Sequence, residues 1–467
     1  MKLAASTSRW LLTLGALGMV LYHAVASQYL FFGQWEHQTI HFAFLFLLIF
    51  LSYAGKAKHP AVKVLFCVCL AVALASCAYV YLNIEDLEMS QGFPSKAAVA
   101  VGLCLILATS LGTYLSWGLP LLLVALGFVG YFFLGDLISG PLHHPHFSFD
   151  YVISYLSVGL SGLYGMFMSI SADQVFLFVV FGSLLGVFKV EGLLMEMGKI
   201  FGRRLRGGAG LTAVFSNSLI GMVSGAPVAN VAITGPFVLP YMRKSGYDVD
   251  ESGGILACSA TGSQLMPPVM GAAAFMMATF IGQPYAVVML AAILPAILFY
   301  YAVAVGVQFL SVRKDLQTVQ LDVNWGLIFR RMFVFILPIG LIFTMLMLRY
   351  GPANTAFWAC IVTCAVGFAV PDTRPSLKEV MDALVGGAIT GAKIGISLAL
   401  IGMVSQTLIS TGLGSKLASL IHILAEGQLF IALLVTMAVA LVLGCAVPPA
   451  AAYALCAIII IPTLTPM

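Results

Sequence analysis

Two stretches of this 467-residue chain gather oxygen-bearing side chains inside otherwise apolar sequence. The first, residues 221–236, reads GMVSGAPVANVAITGP. Ser224-Gly225 makes a tip that stops a helix and leaves backbone groups unpaired, and Asn230 and Thr234 follow one helical turn apart. The second, SATGSQLMPPVMG from Ser259 to Gly271, sets Pro267-Pro268 inside a helical run with Gly262 and Gly271 on either side. Two adjacent prolines remove two backbone donors, so the spacing predicts an unwound segment whose freed carbonyls join Ser263 and Gln264. Carbonyl, hydroxyl and amide oxygens are the ligands a hard cation takes, which makes Ser224, Asn230 and Gln264 candidates for holding Na⁺. A merely kinked helix beside a glycine seam explains the double proline together with the Ser-Gly tip less well.

Other motifs carry less chemistry. Gly192 to Lys199 imitates a phosphate loop, but with one residue too many and Ile200 where a hydroxyl is needed. Gly159-Leu160-Ser161-Gly162 echoes an intramembrane serine protease, yet His23, His37, His41 and His422 fall near the ends of apolar runs, away from Ser161. His143-His144-Pro145-His146 reads as a solvated loop. All nine cysteines lie in apolar runs, without the His or carboxylate partners of a metal site. No nucleophile, acid and base converge, so an enzyme is disfavoured and no cofactor is implied. Nothing points to nucleic acid.

These segments sit in a chain that is 61% hydrophobic and 9% charged, with a mean hydropathy of +1.04. Soluble domains carry about 25% charged residues, so the composition specifies an all-α polytopic membrane protein in the lipid bilayer. Spans are expected at about 10–32, 37–55, 61–82, 97–115, 118–137, 173–190, 252–281, 284–310, 331–348, 353–371 and 391–411. No Asp or Glu falls at the centre of any of them. Segment 374–389 reads as an amphipathic helix lying in the interface. Stretches 211–240 and 428–464 are too long for one span and are interrupted by Gly and Pro, as re-entrant hairpins are.

With each hairpin returning to its own side, only Lys96, Arg349 and Lys416 of the 22 Lys and Arg fall on the second side. The positive-inside rule then places the N-terminus in the cytoplasm, with the two hairpins entering from opposite faces. Gly182 and Gly402, Gly192 and Gly412, and Gly225 and Gly444 recur at an offset of about 220 residues, as in an inverted repeat.

SGAPVANVAITGPFVLPYMRKSGY, ACSATGSQLMPPVMGAAAFMMA and LVLGCAVPPAAAYAL resemble the large membrane subunit of tripartite ATP-independent periplasmic (TRAP) transporters, in the fused permease that works with TAXI-type binding proteins. The resemblance covers about 145–467. It implies an inverted-repeat, elevator-type transporter with discontinuous helices, in the cytoplasmic membrane of a bacterium or archaeon. Residues 1–140 would be small-subunit-like helices and 141–467 the large permease. Within the latter, a first repeat would run about 173–281, a scaffold 284–371 and a partial second repeat 391–467.

The resemblance further implies cation-driven import (Na⁺ or H⁺) of a small carboxylate delivered by an extracytoplasmic solute-binding protein. It assigns the site to Ser224, Gly225, Asn230, Thr234, Gly262, Ser263, Gln264, Pro267 and Pro268, with Gly444, Pro448 and Pro449 in the second hairpin. The family commonly has Ser-Gly-Ser and Pro-Thr at the two tips. Here Ala226 and Pro449 take two of those hydroxyl positions. An antiporter or channel with the same hairpins and no binding protein is the alternative. Since no broken helix follows the second hairpin before Met467, the repeat also predicts that the natural chain continues beyond it.

Overall fold

A computed structural model describes residues 2–464, apart from 30, 31, 160, 204, 317–321, 425–427 and 447. Every regular element among them is helical. Ten helical segments are long and apolar enough to cross a membrane. The expected break in 252–281 is present: a helix Val249–Thr261, a tight turn at Gly262–Gln264, then irregular chain to a helix Ala272–Phe280. Both expected hairpins form, Gly208–Ser224 with Pro227–Lys244 and Leu429–Ala446 with Pro449–Leu464. The first helix stops at Ala26, short of residue 32. The separate interfacial helix over 374–389 does not occur. Leu377–Ser410 is one continuous helix, because its mid-helix glycines serve as packing positions and do not break it.

The chain divides into two compact units, one of residues 1–176 with 388–467 and the other of 177–387. In the first unit the central element is α2 (Gln34–Lys56), flanked by α1 (Lys2–Ala26) and α3 (Pro60–Leu82). Phe42, Phe46 and Phe50 recur every four residues on α2 and are fully buried, with ring centroids 4.4 and 6.1 Å apart along the row. Trp35 stacks on Tyr164 at an interplanar angle of 4°. The segment from Phe149 onward is broken by wide turns at Ser154–Val158 and Ile170–Val175. It therefore carries Asp173 within an apolar course, where the sequence placed a span edge. Ser161 hydrogen-bonds to Gln91, and a methyl on Gly402 would stand 2.2 Å from the Gly162 carbonyl oxygen, so the Gly-Leu-Ser-Gly stretch is a packing seam.

The second unit holds the first hairpin. Helix Val190–Gly202 meets its entering arm nearly backbone to backbone: a Cβ on Gly202 would lie 2.2 Å from the Gly208 carbonyl oxygen. Val214, Val238, Met242, Tyr247 and Val307 form the core around it. Asp248 and Glu251 cap the broken helix reciprocally, and Lys314 donates to both carboxylates at 2.5 and 2.7 Å. Those two hydrogen bonds hold the Lys314 ammonium above its ordinary range.

An element order recurs along the chain. A helix ending at Val187, a short helix Val190–Gly202 and a hairpin are matched by a helix ending at Ser410, a short helix Leu413–Leu424 and a hairpin.

Candidate functional site

The first hairpin turns because Gly225 adopts φ +54°, ending the helix Gly208–Ser224, while Pro227 with its fixed φ starts the return. Space demands glycine as well. A Cβ at Gly225 would stand 1.8 Å from the carbonyl oxygen of Met270, in the irregular link of the broken helix. The tip is thus seated directly on that link.

Below the tip the polar side chains form a chain of hydrogen bonds. The Ser224 hydroxyl donates to Asn230 Oδ1 and receives the Ala226 N–H at 3.4 Å. Asn230 is fully buried, and its Nδ2 has no partner among the described residues. Thr234 shares its hydroxyl hydrogen between the Asn230 carbonyl at 2.7 Å and Asn217 Oδ1 at 3.1 Å. Asn217 Nδ2 in turn donates to Ser259 at 2.7 Å, which donates to the Leu256 carbonyl. Asn217, Thr234 and Ser259 are fully buried, so this network ties both arms of the hairpin to the first half of the broken helix.

The link itself is more fully satisfied than the sequence suggests. Tyr285 lies 2.9 Å from the Pro268 carbonyl and 2.6 Å from that of Val269, so two of the freed acceptors share one donor. The Gly271 N–H closes onto the Gln264 carbonyl at 3.0 Å. A Cβ on Gly271 would lie 3.2 Å from the Gln264 side chain, which places that amide beside the link on which the tip rests. Ser263 is buried under Gly221 of the hairpin, and its hydroxyl has no partner among the described residues. Gly262 gives room for the rings of Phe299 and Tyr300.

Of the expected residues, Ser224, Gly225, Asn230 and Thr234 come together, and Gly262, Ser263, Gln264, Pro267 and Pro268 form the link region. Pro448 and Pro449 open the return arm of the second hairpin, whereas Gly444 lies inside its first helix, Leu429–Ala446, where a Cβ would meet nothing within 4 Å. Asn217, Ser259 and Tyr285 were not singled out from the sequence. Asn217 had a weak signal as the one amide in the entering arm, but its partners lie 17 and 42 residues away.

A helical membrane protein with a helical hairpin seated on a broken helix has the parts of a transport protein. The comparisons place it: residues 111–467 match the tripartite ATP-independent periplasmic transporter, DctM component, and the chain belongs to that family. Among curated relatives, a protein of Haemophilus influenzae named "Putative TRAP transporter large permease protein" is 24% identical over 248 residues, which are 52% of this chain and 56% of that one. The "Uncharacterized protein y4mL" of Sinorhizobium fredii is 29% identical over 159 residues, 34% of this chain and 38% of that one. The chain spans about half the length, or less, of these relatives.

Proposed function

We propose that the chain is the permease of a secondary transporter that imports a small organic anion, delivered by an extracytoplasmic TAXI-type binding protein and driven by a cation gradient. It resides in a bacterial or archaeal cytoplasmic membrane with its N-terminus inside, as the distribution of Lys and Arg indicates. The hairpin tips and broken helix form the site, in an elevator-type cycle.

One observation carries the reading: the Gly225 tip rests on the Met270 carbonyl, with the Ser224–Asn230 pair immediately below. The residues suit Na⁺. An amide's oxygen and nitrogen are assigned from their surroundings, and here Ser224 donates to Oδ1 while Nδ2 faces the core unpaired. Turning the amide lets Nδ2 donate to Ser224 and presents Oδ1 as an unpaired oxygen ligand. Asn230 Oδ1 and the neighbouring Gln264 amide oxygen would then hold the cation, with Ser224 fixing the Asn230 amide in that orientation and no carboxylate required.

The test is uptake into proteoliposomes holding the full chain, with a panel of radiolabelled carboxylates, with and without the cognate binding protein, under Na⁺ and pH gradients applied separately. Uptake that needs the binding protein and one gradient supports the reading. Binding-protein-independent ion flux points to the antiporter or channel instead.

A further inference from the structure

In the first unit three helical segments meet at one corner: the end of α2 at Lys56, the end of helix Lys96–Trp117, and Lys393 of helix Leu377–Ser410. Side chains bonded to backbone fix the corner. The Trp117 indole N–H donates to the Lys393 carbonyl at 2.7 Å, Thr113 donates to the Ile396 carbonyl at 3.4 Å, and the Tyr53 hydroxyl donates to the Leu115 carbonyl. The Lys56 ammonium stands 5.5 Å from the centre of the Tyr53 ring. Lys56 is exposed and Lys393 half-buried. The charge that acts on Lys393 is that of Lys56.

The chain brings no anion to answer these two cations. No Asp or Glu occurs in residues 37–84, 97–135 or 388–425, the stretches that supply the three segments and their adjoining loops. Neither Lys56 nor Lys393 takes part in an ion pair among the described residues. The ends of α2 and of helix Lys96–Trp117 offer only the partial negative charge of their last carbonyls. Two like charges held together at the edge of an apolar medium repel, and an anion between them turns repulsion into attraction.

The surface beside the corner says what kind of anion fits. Tyr114 and Trp117 are 48% and 37% exposed. Leu107, two helical turns before Tyr114 and on the same face, is 67% exposed. Indole and phenol rings at a helix end mark the level of the lipid headgroups, and an exposed leucine two turns deeper faces the acyl chains. A soluble anion has a use for the lysines alone. A phospholipid uses the charges with its phosphate and the apolar strip with its tail.

We propose that Lys56 and Lys393 form a binding site for the phosphate of an anionic phospholipid, with Trp117 and Tyr114 beside the headgroup and Leu107 along the acyl chain. Each ammonium has three donors to offer, and one phosphate between them is shared by both. Trp117 is a positioning residue: its bond to the Lys393 carbonyl sets Lys393 at the level of the headgroups. The site lies in the leaflet on the side of the N-terminus, which is the cytoplasmic leaflet in the orientation proposed above. It is outside the hairpin site and stands or falls independently of the transport reading.

The experiment is native mass spectrometry of the full chain released from detergent micelles and titrated with phosphatidylglycerol, with phosphatidylcholine and inorganic phosphate as separate competitors. One phosphatidylglycerol per chain should saturate first, and K56Q and K393Q should each weaken its binding about fivefold. R9Q removes an exposed charge on α1, outside the corner, and should change it less than about twofold. Thermal unfolding without added lipid checks that the variants fold, and K56Q, at an exposed helix end, carries the test if K393Q does not. An R9Q effect equal to that of K56Q would reveal a diffuse field of charge and overturn the site. Displacement by phosphatidylcholine at equal concentration would overturn it too, and displacement by inorganic phosphate would assign the lysines to a soluble anion instead.

Discussion

Gly225 and Met270 touch backbone to backbone, with no room for a single carbon between the hairpin tip and the broken helix. Alanine at 225 must therefore adopt a left-handed backbone and displace a carbonyl as well. We expect G225A to cost at least ~1 kcal/mol and to cut uptake about tenfold or more while the protein still inserts. G444A, in the last turn of the helix Leu429–Ala446, meets open space and should change uptake less than about twofold. Paired uptake and thermal-shift measurements check this, and equal effects from the two substitutions would refute it.

The ion assignment predicts a change in ion requirement. N230L and Q264L should each raise the cation concentration for half-maximal uptake about tenfold, the equivalent of ~1.4 kcal/mol per lost ligand, with membrane insertion unchanged. An unaltered cation dependence in both variants would remove these amides from the site.

Asn217 bridges both arms to the broken helix, so N217A removes one acceptor from Thr234 and the donor to Ser259, while each hydroxyl keeps its backbone carbonyl. The expected loss is ~1–3 kcal/mol in stability. A double-mutant cycle with T234V should show coupling of about 0.5 kcal/mol or more, measured by thermal unfolding in detergent.

Lys314 gives a prediction with a pH sign. Its folded value is raised above the ordinary 10.5, so the stabilisation it brings is fully present below about 10.5 and fades only as pH rises through the raised value. K314M should therefore lower the melting temperature by similar amounts at pH 7 and pH 9. A penalty that disappears by pH 9 would contradict the assignment.

Much of the site was legible because its parts are local. Ser224-Gly225-Ala226-Pro227 is a turn within four residues, and Pro267-Pro268 breaks a helix wherever it is placed. The residues that lock the turn were not legible, since Tyr285 reaches back 17 residues and Ser259 pairs with Asn217 across 42. Nothing in periodicity reports such contacts. The histidine contacts were hidden for a related reason. Reading each at the edge of its own helix hid that His23 and His41 lie side by side, and a span drawn from residue 173 put Asp173 at its boundary. The interfacial reading of 374–389 failed because charges at the start of a helix look alike whether or not the helix continues.

The Tyr285 hydroxyl faces two carbonyls with one hydrogen. It can satisfy Pro268 or Val269 at full strength, and sharing weakens both. Whichever it leaves is an acceptor in a buried place, where an unmet carbonyl costs ~1–3 kcal/mol. Its single hydrogen can lie toward either oxygen, and rotation about the C–O bond exchanges the two. A donor placed on one of these oxygens would leave the Tyr285 hydrogen wholly to the other.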